Sequence, residues 1–285
     1  MHTITTGVLH PWNLSADAKG SIHDDDTAND LGFRAGTVAG DIHLEQFGGI
    51  LVDAFGPSWF EQGSLSLYFL TPTAHREPVE AFLDLPAAPP LSHTQVTARM
   101  ATPEGVPVAD GTASVGRVSE PSALSSRDRR AVDPTTLRML RGAHPGRALD
   151  VQVRRPWSEN QLRRIANQSM TAPLPWYSGE SPWGGPVCSP LTMCQLLVAG
   201  VTRSIEQECG EFVGMYGAIE VRHTDGPLFL DTEYEITGEV LAVSESPKTE
   251  VLWYRTVARA AGSSTVSAEV TMMTRLLKDS SPLYR

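Results

Sequence analysis

The chain has 285 residues, of which 41% are hydrophobic, 20% charged and 7% aromatic, the composition of a folded globular protein rather than a disordered or fibrous one. Its 23 Lys and Arg stand against 33 Asp and Glu, and a formal charge of −10 argues against nucleic acid or an anionic membrane surface as partner. The start of the chain lacks a basic region followed by an apolar run, and no apolar stretch nears the roughly 18 residues of a membrane span, so a cytoplasmic protein is expected.

Apolar residues at Val38, Ile42, Phe47, Ile50, Leu51, Ala54 and Phe55 predict a buried helix over 38–55, with Gly48 and Gly49 letting another backbone come close. Strands are expected over 65–71, 79–85, 94–101 and 106–115, the last two joined through Pro103-Glu-Gly105. From Ser119 to Gly146 the chain turns to Ser, Pro, Arg, Asp and Gly, which sets a first domain at 1–120, a linker at 121–146 and a second domain at 147–285. Residues 127–164 carry a charge of +6 while the rest of the chain is −16, a strip that suits either a local anion contact or a solvated connection. Cys188, Cys194 and Cys209 match no zinc or redox spacing and are expected as reduced packing thiols.

The second half repeats the order of the first. Gly36-Thr-Val38-Ala-Gly40 opens the first helix, and Gly185-Pro-Val187-Cys-Ser189 opens a second over about 191–205, an offset of 149 residues. Strands follow again over 215–222, 228–243, 250–260 and 265–276. A long helix followed by an antiparallel meander, twice, predicts an α+β chain with two antiparallel sheets, each wrapped around a long central helix. Pairing the copies as an internal pseudo-dimer, with their sheets joined or side by side, would cover an open sheet edge, and further homodimerisation is possible.

The segment from Ser15 to Gly40 places His23 between carboxylates and a Gly-opened helix start. Here the chain resembles the MaoC-like hydratase and dehydratase family of hotdog proteins, whose members carry a Gly-Asp-x-Asn-Pro-x-His-x-Asp stretch, then Ala, Gly-Phe and an Ile-Ala-His-Gly turn. Ile22-His23 falls on the motif His and its predecessor, Asp24 or Asp25 near the following acid, Ala28 on the Ala, Gly32-Phe33 on Gly-Phe, and Val38-Ala39-Gly40 on the helix-opening turn. Ala18 stands where the family has its catalytic Asp; Asp17 lies one residue earlier, and the Asn-Pro pair is absent. The second copy, from Trp157 to Val187, lacks a His or Asp at the equivalent place and resembles a degenerate partner hotdog.

The resemblance implies a double hotdog that hydrates or dehydrates 2-enoyl and 3-hydroxyacyl thioesters on coenzyme A or an acyl carrier protein, with no metal and no redox cofactor. Such chemistry needs a base for the proton beside the carbonyl, an acid for the departing hydroxyl, and donors for the enolate oxygen. His23 suits the base, Asp17 could complement it if the loop bulges, and the amides of Val38, Ala39 and Gly40 at the helix start suit the oxyanion. Gly40 would let the thioester carbonyl come close. Glu45, five residues after Gly40, resembles the acid of β-hydroxyacyl carrier protein dehydratases; Asp41, His43 and Glu45 are secondary candidates. Each has a plain alternative: Asp24 to Asp26 as favourable charges at a solvated helix start, His43 as a structural histidine, and Trp176, Tyr177 and Trp183 as packing for the degenerate site. Arg154, Arg155, Arg163 and Arg164 could meet the phosphates of a pantetheine carrier. A hotdog acyl-thioesterase using Asp41 or Glu45, and a non-catalytic ligand-binding hotdog, are the rival functions. His223 and Asp225 suit either a cleft wall or a strand-end turn.

Overall fold

A computed structural model describes residues 2–285. In chain order the first half comprises β1 (His2–Thr5), α1 (Asp25–Asp30), α2 (Gly40–Glu45), α3 (Gly48–Phe55), α4 (Trp59–Gln62), β2 (Gly63–Phe69), β3 (Glu80–Leu85), β4 (Thr94–Ala101) and β5 (Pro107–Val115). The second half comprises β6 (Gln152–Arg154), α5 (Ser158–Ala166), α6 (Pro190–Val198), α7 (Arg203–Cys209), β7 (Gly214–His223), β8 (Tyr234–Glu245), β9 (Thr249–Ala260) and β10 (Ala268–Leu277).

The strands form one antiparallel sheet of ten in the order β1-β3-β4-β5-β2-β7-β10-β9-β8-β6, so the two sheets expected from sequence, one per copy, are joined edge to edge rather than lying side by side. The two halves run the same pattern outward from a shared seam, where β2 pairs with β7 from Ser64↔Arg222 to Tyr68↔Ala218. Each half thereby closes what would otherwise be the other's open edge. Along β9, Leu252 and Tyr254 belong to the main core, while Val251 and Trp253 form a second cluster with Ala218, Ala242, Met273 and Leu124. Successive side chains point to opposite faces, so these clusters lie on opposite faces of the sheet.

The predicted helix over 38–55 exists, but in two parts. Gln46 and Phe47 keep helical angles while their N–H groups bond three residues back, to His43 (3.3 Å) and Leu44 (3.2 Å), so one tightened turn joins α2 to α3. Gly56 then ends the run with φ +64°. Space beside α3 is needed at Gly48 alone of its two glycines: a Cβ there would lie 2.6 Å from the Tyr177 hydroxyl, whereas one at Gly49 would meet nothing within 4 Å. The second helix, expected over 191–205, stops at Val198; Gly200, at φ +77°, breaks it from α7. Ser189 caps α6 by accepting from the Thr192 N–H (3.2 Å), with Pro190 in the first turn. The strand foreseen over 228–243 begins only at Tyr234.

The segment 121–146 is strapped to the sheet rather than free. Leu124 is buried against Trp253, and Leu137, Met139, Leu140 and Ala143 join the main core. Glu250, fully buried in β9, accepts from the backbone N–H groups of Arg138 (2.8 Å), Met139 (3.1 Å) and Leu140 (2.7 Å) and from the Tyr284 hydroxyl. Glu250→Ala would strand these donors, each worth about 1–3 kcal/mol when buried and unmet. The variant is expected to lose about 3 kcal/mol or more in urea unfolding and to become cleavable by protease within 137–146; an unchanged midpoint would count against the strap.

Candidate active site

The loop ahead of α2 is built to hold His23. Its carbonyl accepts from Asn13 Nδ2 (2.8 Å), its N–H donates to Ser21 Oγ (3.2 Å), and the Thr37 N–H donates to the Ile22 carbonyl (3.0 Å). Gly36 presses its backbone on this loop so closely that a Cβ would fall 2.2 Å from the His23 carbonyl oxygen. The acidic run after His23 is structural. Asp24 caps α1 through Thr27, and its ion pair with Lys19 (2.6 Å) leads the effects that bring its carboxyl down to about 2. Asp25 accepts from the Gly36 N–H at 2.7 Å.

His23 Nδ1 lies 2.7 Å from the Thr37 carbonyl oxygen. A carbonyl can only accept, so Nδ1 donates a proton to it, and in the neutral ring Nε2 is then the nitrogen with the basic lone pair. The His23 side chain lies where two lobes of a cleft between the copies meet. One lobe, about 570 Å³, is lined by His23, Ala39, Asp41, Arg154, Arg155, Gln161, Arg164, Gln195 and, deeper, Tyr216 and Tyr254. The other, about 270 Å³, is more apolar, with Phe69, Leu70, Phe212 and Met215 beside Ala39, Gly40 and His43. His23, Ala39, Glu206, Phe212, Tyr216 and Thr274 line both lobes.

The expected oxyanion set is corrected at one position. The Val38 N–H is already given to the Thr73 carbonyl (2.8 Å), whereas those of Ala39 and Gly40 have no backbone partner among the described residues. The hydrogen at Gly40 is required by packing, since a Cβ there would sit 2.4 Å from the Phe69 ring. Asp17 is exposed and lines neither lobe, so the loop does not bring it to His23. Asp41, by contrast, is 4% exposed, lines the larger lobe, and accepts from Gln195 Nε2 (3.3 Å) and the Ile42 N–H (3.0 Å). Burial pushes its carboxyl above the ordinary range, against the pull of these donors and of nearby His23 and Arg164.

Glu45 faces the other copy instead of the cleft. It is 1% exposed, ion-paired to Arg164 of α5, and accepts from Ser189 Oγ at 2.7 Å. Burial raises its carboxyl while Arg164 draws it down. Of the four arginines considered for phosphate contact, Arg154, Arg155 and Arg164 line the larger lobe; Arg163 is exposed and bonds Asn160. Trp176, Trp183, Tyr177, Phe60 and His223 form one aromatic cluster with ring centroids 5.5–6.4 Å apart, the packing expected for the degenerate copy.

His43 and His223 are buried, and desolvation lowers each from 6.5 to about 4. His43 bonds Thr73 Oγ1 at 2.9 Å, and His223 packs on Trp59 at 5.0 Å. A histidine lowered on folding favours the native state above its unfolded value and withdraws that support as pH falls towards the folded one, by about 1.4 kcal/mol per pH unit. Asp41 and Glu45, raised on folding, act in the opposite sense, so the comparison must be between variants. His223→Phe should flatten the dependence of unfolding free energy on pH between 6.5 and about 4 by about that slope; parallel curves would contradict it.

Sequence reading missed Gln195 and Tyr216 as cleft residues. Gln195 is the exposed residue of an otherwise buried stretch of α6 and lines the cleft from a copy that carries no motif. Tyr216 is turned inward by a β-bulge: Met273 pairs with Ala218 and Thr274 with Tyr216, so Gly217 is skipped. Strict alternation would have put Tyr216 on the Ala218 face.

These features define a double hotdog: one long antiparallel sheet, two helix-bearing copies and a cleft between them. No protein-family model matches the sequence, and no curated protein matches it. Among solved structures, the chain is similar to a protein described as a MaoC domain dehydratase from Chloroflexus aurantiacus J-10-fl, at 13% identity and TM-score 0.66, covering 97% of this chain and 94% of that one. A Mycobacterium tuberculosis protein with a double hotdog fold aligns at 14% identity and TM-score 0.60, covering 96% and 95%. A MaoC-like dehydratase aligns at 13% identity and TM-score 0.56, covering 97% of each chain.

Proposed function

We propose that the chain is a MaoC-like hydro-lyase that interconverts 3-hydroxyacyl and 2-enoyl thioesters, with its one active cleft next to the N-terminal copy's helix. The observation that carries this reading is His23, whose ring is fixed through Nδ1 so that Nε2 is left as a base at the junction of the lobes, beside the open Ala39 and Gly40 amides. His23 takes a proton from the carbon next to the thioester carbonyl. Developing negative charge on the carbonyl oxygen is met by the two amides and the positive end of the interrupted helix. The apolar lobe suits the acyl chain, and Arg154 and Arg155 suit the phosphates of a pantetheine carrier, whether coenzyme A or a carrier protein. No metal or redox group has a part in these steps, and no helix among the described residues is long and apolar enough to cross a membrane.

The test incubates the protein with short and medium enoyl-CoA and hydroxyacyl-CoA, following enoyl absorbance and free thiol in parallel. Change in absorbance without thiol is expected. Thiol release would make it a thioesterase, and silence in both would favour a ligand-binding hotdog.

A further inference from the structure

We infer that the acid of this site is Asp41, supplied by the helix instead of the His23 loop, and that Gln195 of the second copy positions it. The inference rests on the hydro-lyase reading and adds the group that handles the hydroxyl. Ala18 leaves the loop without a carboxylate at the motif place, and Asp17 points into solvent. One buried carboxyl does line the same lobe as His23: Asp41, in the first turn of α2, next to the Ala39 and Gly40 amides. Its Oδ1 is turned to the Ile42 N–H and its Oδ2 to Gln195, which fixes the carboxyl from both copies.

In dehydration, His23 Nε2 takes the C2 proton and the C–H electron pair moves into the carbonyl to form the enolate. As that pair returns to form the C2–C3 double bond, the C3–O bond breaks and Asp41 gives its proton to the departing hydroxyl, releasing water. Imidazolium and carboxylate then remain, and transfer of the proton from His23 to Asp41 restores both. Hydration runs the same steps backwards, with Asp41 taking a proton from the attacking water. Asp41 must therefore begin protonated, and its seclusion from water favours that form. The ionisable groups near enough to bear on it are His23 from the loop, Glu45 on its own helix, Arg164 from α5, Cys194 from α6 and Tyr216 from β7.

The experiment measures elimination from a 3-hydroxyacyl-CoA, together with deuterium uptake at C2 in heavy water, for the unaltered protein, Asp41→Asn and Gln195→Leu. Asp41→Asn should lower elimination by about 10²- to 10⁴-fold while C2 exchange persists, because His23 still works. Exchange also reports that the variant has folded. Gln195→Leu removes a donor that favours the carboxylate, so the alkaline limb of kcat should move to higher pH. This second result does not depend on Asp41→Asn folding. Elimination within tenfold of the unaltered protein, equal loss of exchange and elimination in a folded Asp41→Asn, or an unmoved alkaline limb in Gln195→Leu would each overturn the assignment of Asp41. A lack of turnover by the unaltered protein would instead overturn the hydro-lyase reading, and the acid with it.

Discussion

His23→Ala is expected to abolish turnover of enoyl and hydroxyacyl thioesters, with a loss of about 10²- to 10⁴-fold in kcat and little change in unfolding midpoint. The expectation rests on how the loop is held. Asn13 and Ser21 bond the His23 backbone, and Thr37 bonds Ile22, so the loop keeps these contacts without the imidazole. Only the Thr37 carbonyl loses a partner, and it lines the cleft, where water can replace the ring nitrogen. C2 exchange should fall together with elimination, unlike in Asp41→Asn, because His23 is the base; exchange that survived its loss would point to Glu206, the carboxylate that also lines both lobes. Activity close to that of the unaltered protein would remove His23 from the mechanism.

Arg164→Met should be strongly destabilising at the interface between the copies. Its side chain is 12% exposed and that of Glu45 is 1% exposed, so neither ion is well solvated. Removing one member of a buried pair leaves the other charge uncompensated, at a cost of about 3–5 kcal/mol. Ser189 still donates to Glu45, which favours the lower part of that range. Replacing both ions at once, Glu45→Leu with Arg164→Met, should recover most of the loss, since paired removal also removes the desolvation cost. Urea unfolding of the two single variants and the double variant measures the coupling. Additive losses would mean that the pair does not join the copies energetically.

The sequence by itself determined the repeat, because the Gly-opened apolar segments recur at an offset of 149 and apolar periodicity is a local property of each element. It also determined most strand positions: 94–101 and 106–115 agree with β4 and β5 to within one residue. His23 was legible as a candidate because a titratable ring beside a helix start has a sequence signature, and the packing role of the Trp176 and Trp183 cluster followed from a copy that carries no motif. Only the tertiary structure decided that the strands form one sheet, since which edge meets which depends on the β2–β7 seam, whose paired residues, from Ser64↔Arg222 to Tyr68↔Ala218, are far apart in sequence. The proposed acid was illegible for the same reason: burial, not position in a motif, separates Asp41 from Asp17, and α6 lies against α2. Val38 lost its amide to Thr73 and Glu45 its carboxylate to Arg164, partners that no local spacing indicates. Tyr216 reached the cleft through one skipped residue at Gly217, where a Cβ would fall 2.0 Å from Met273 Cε. Alternation along a strand is set by local backbone geometry, but where it slips is set by the strand beside it.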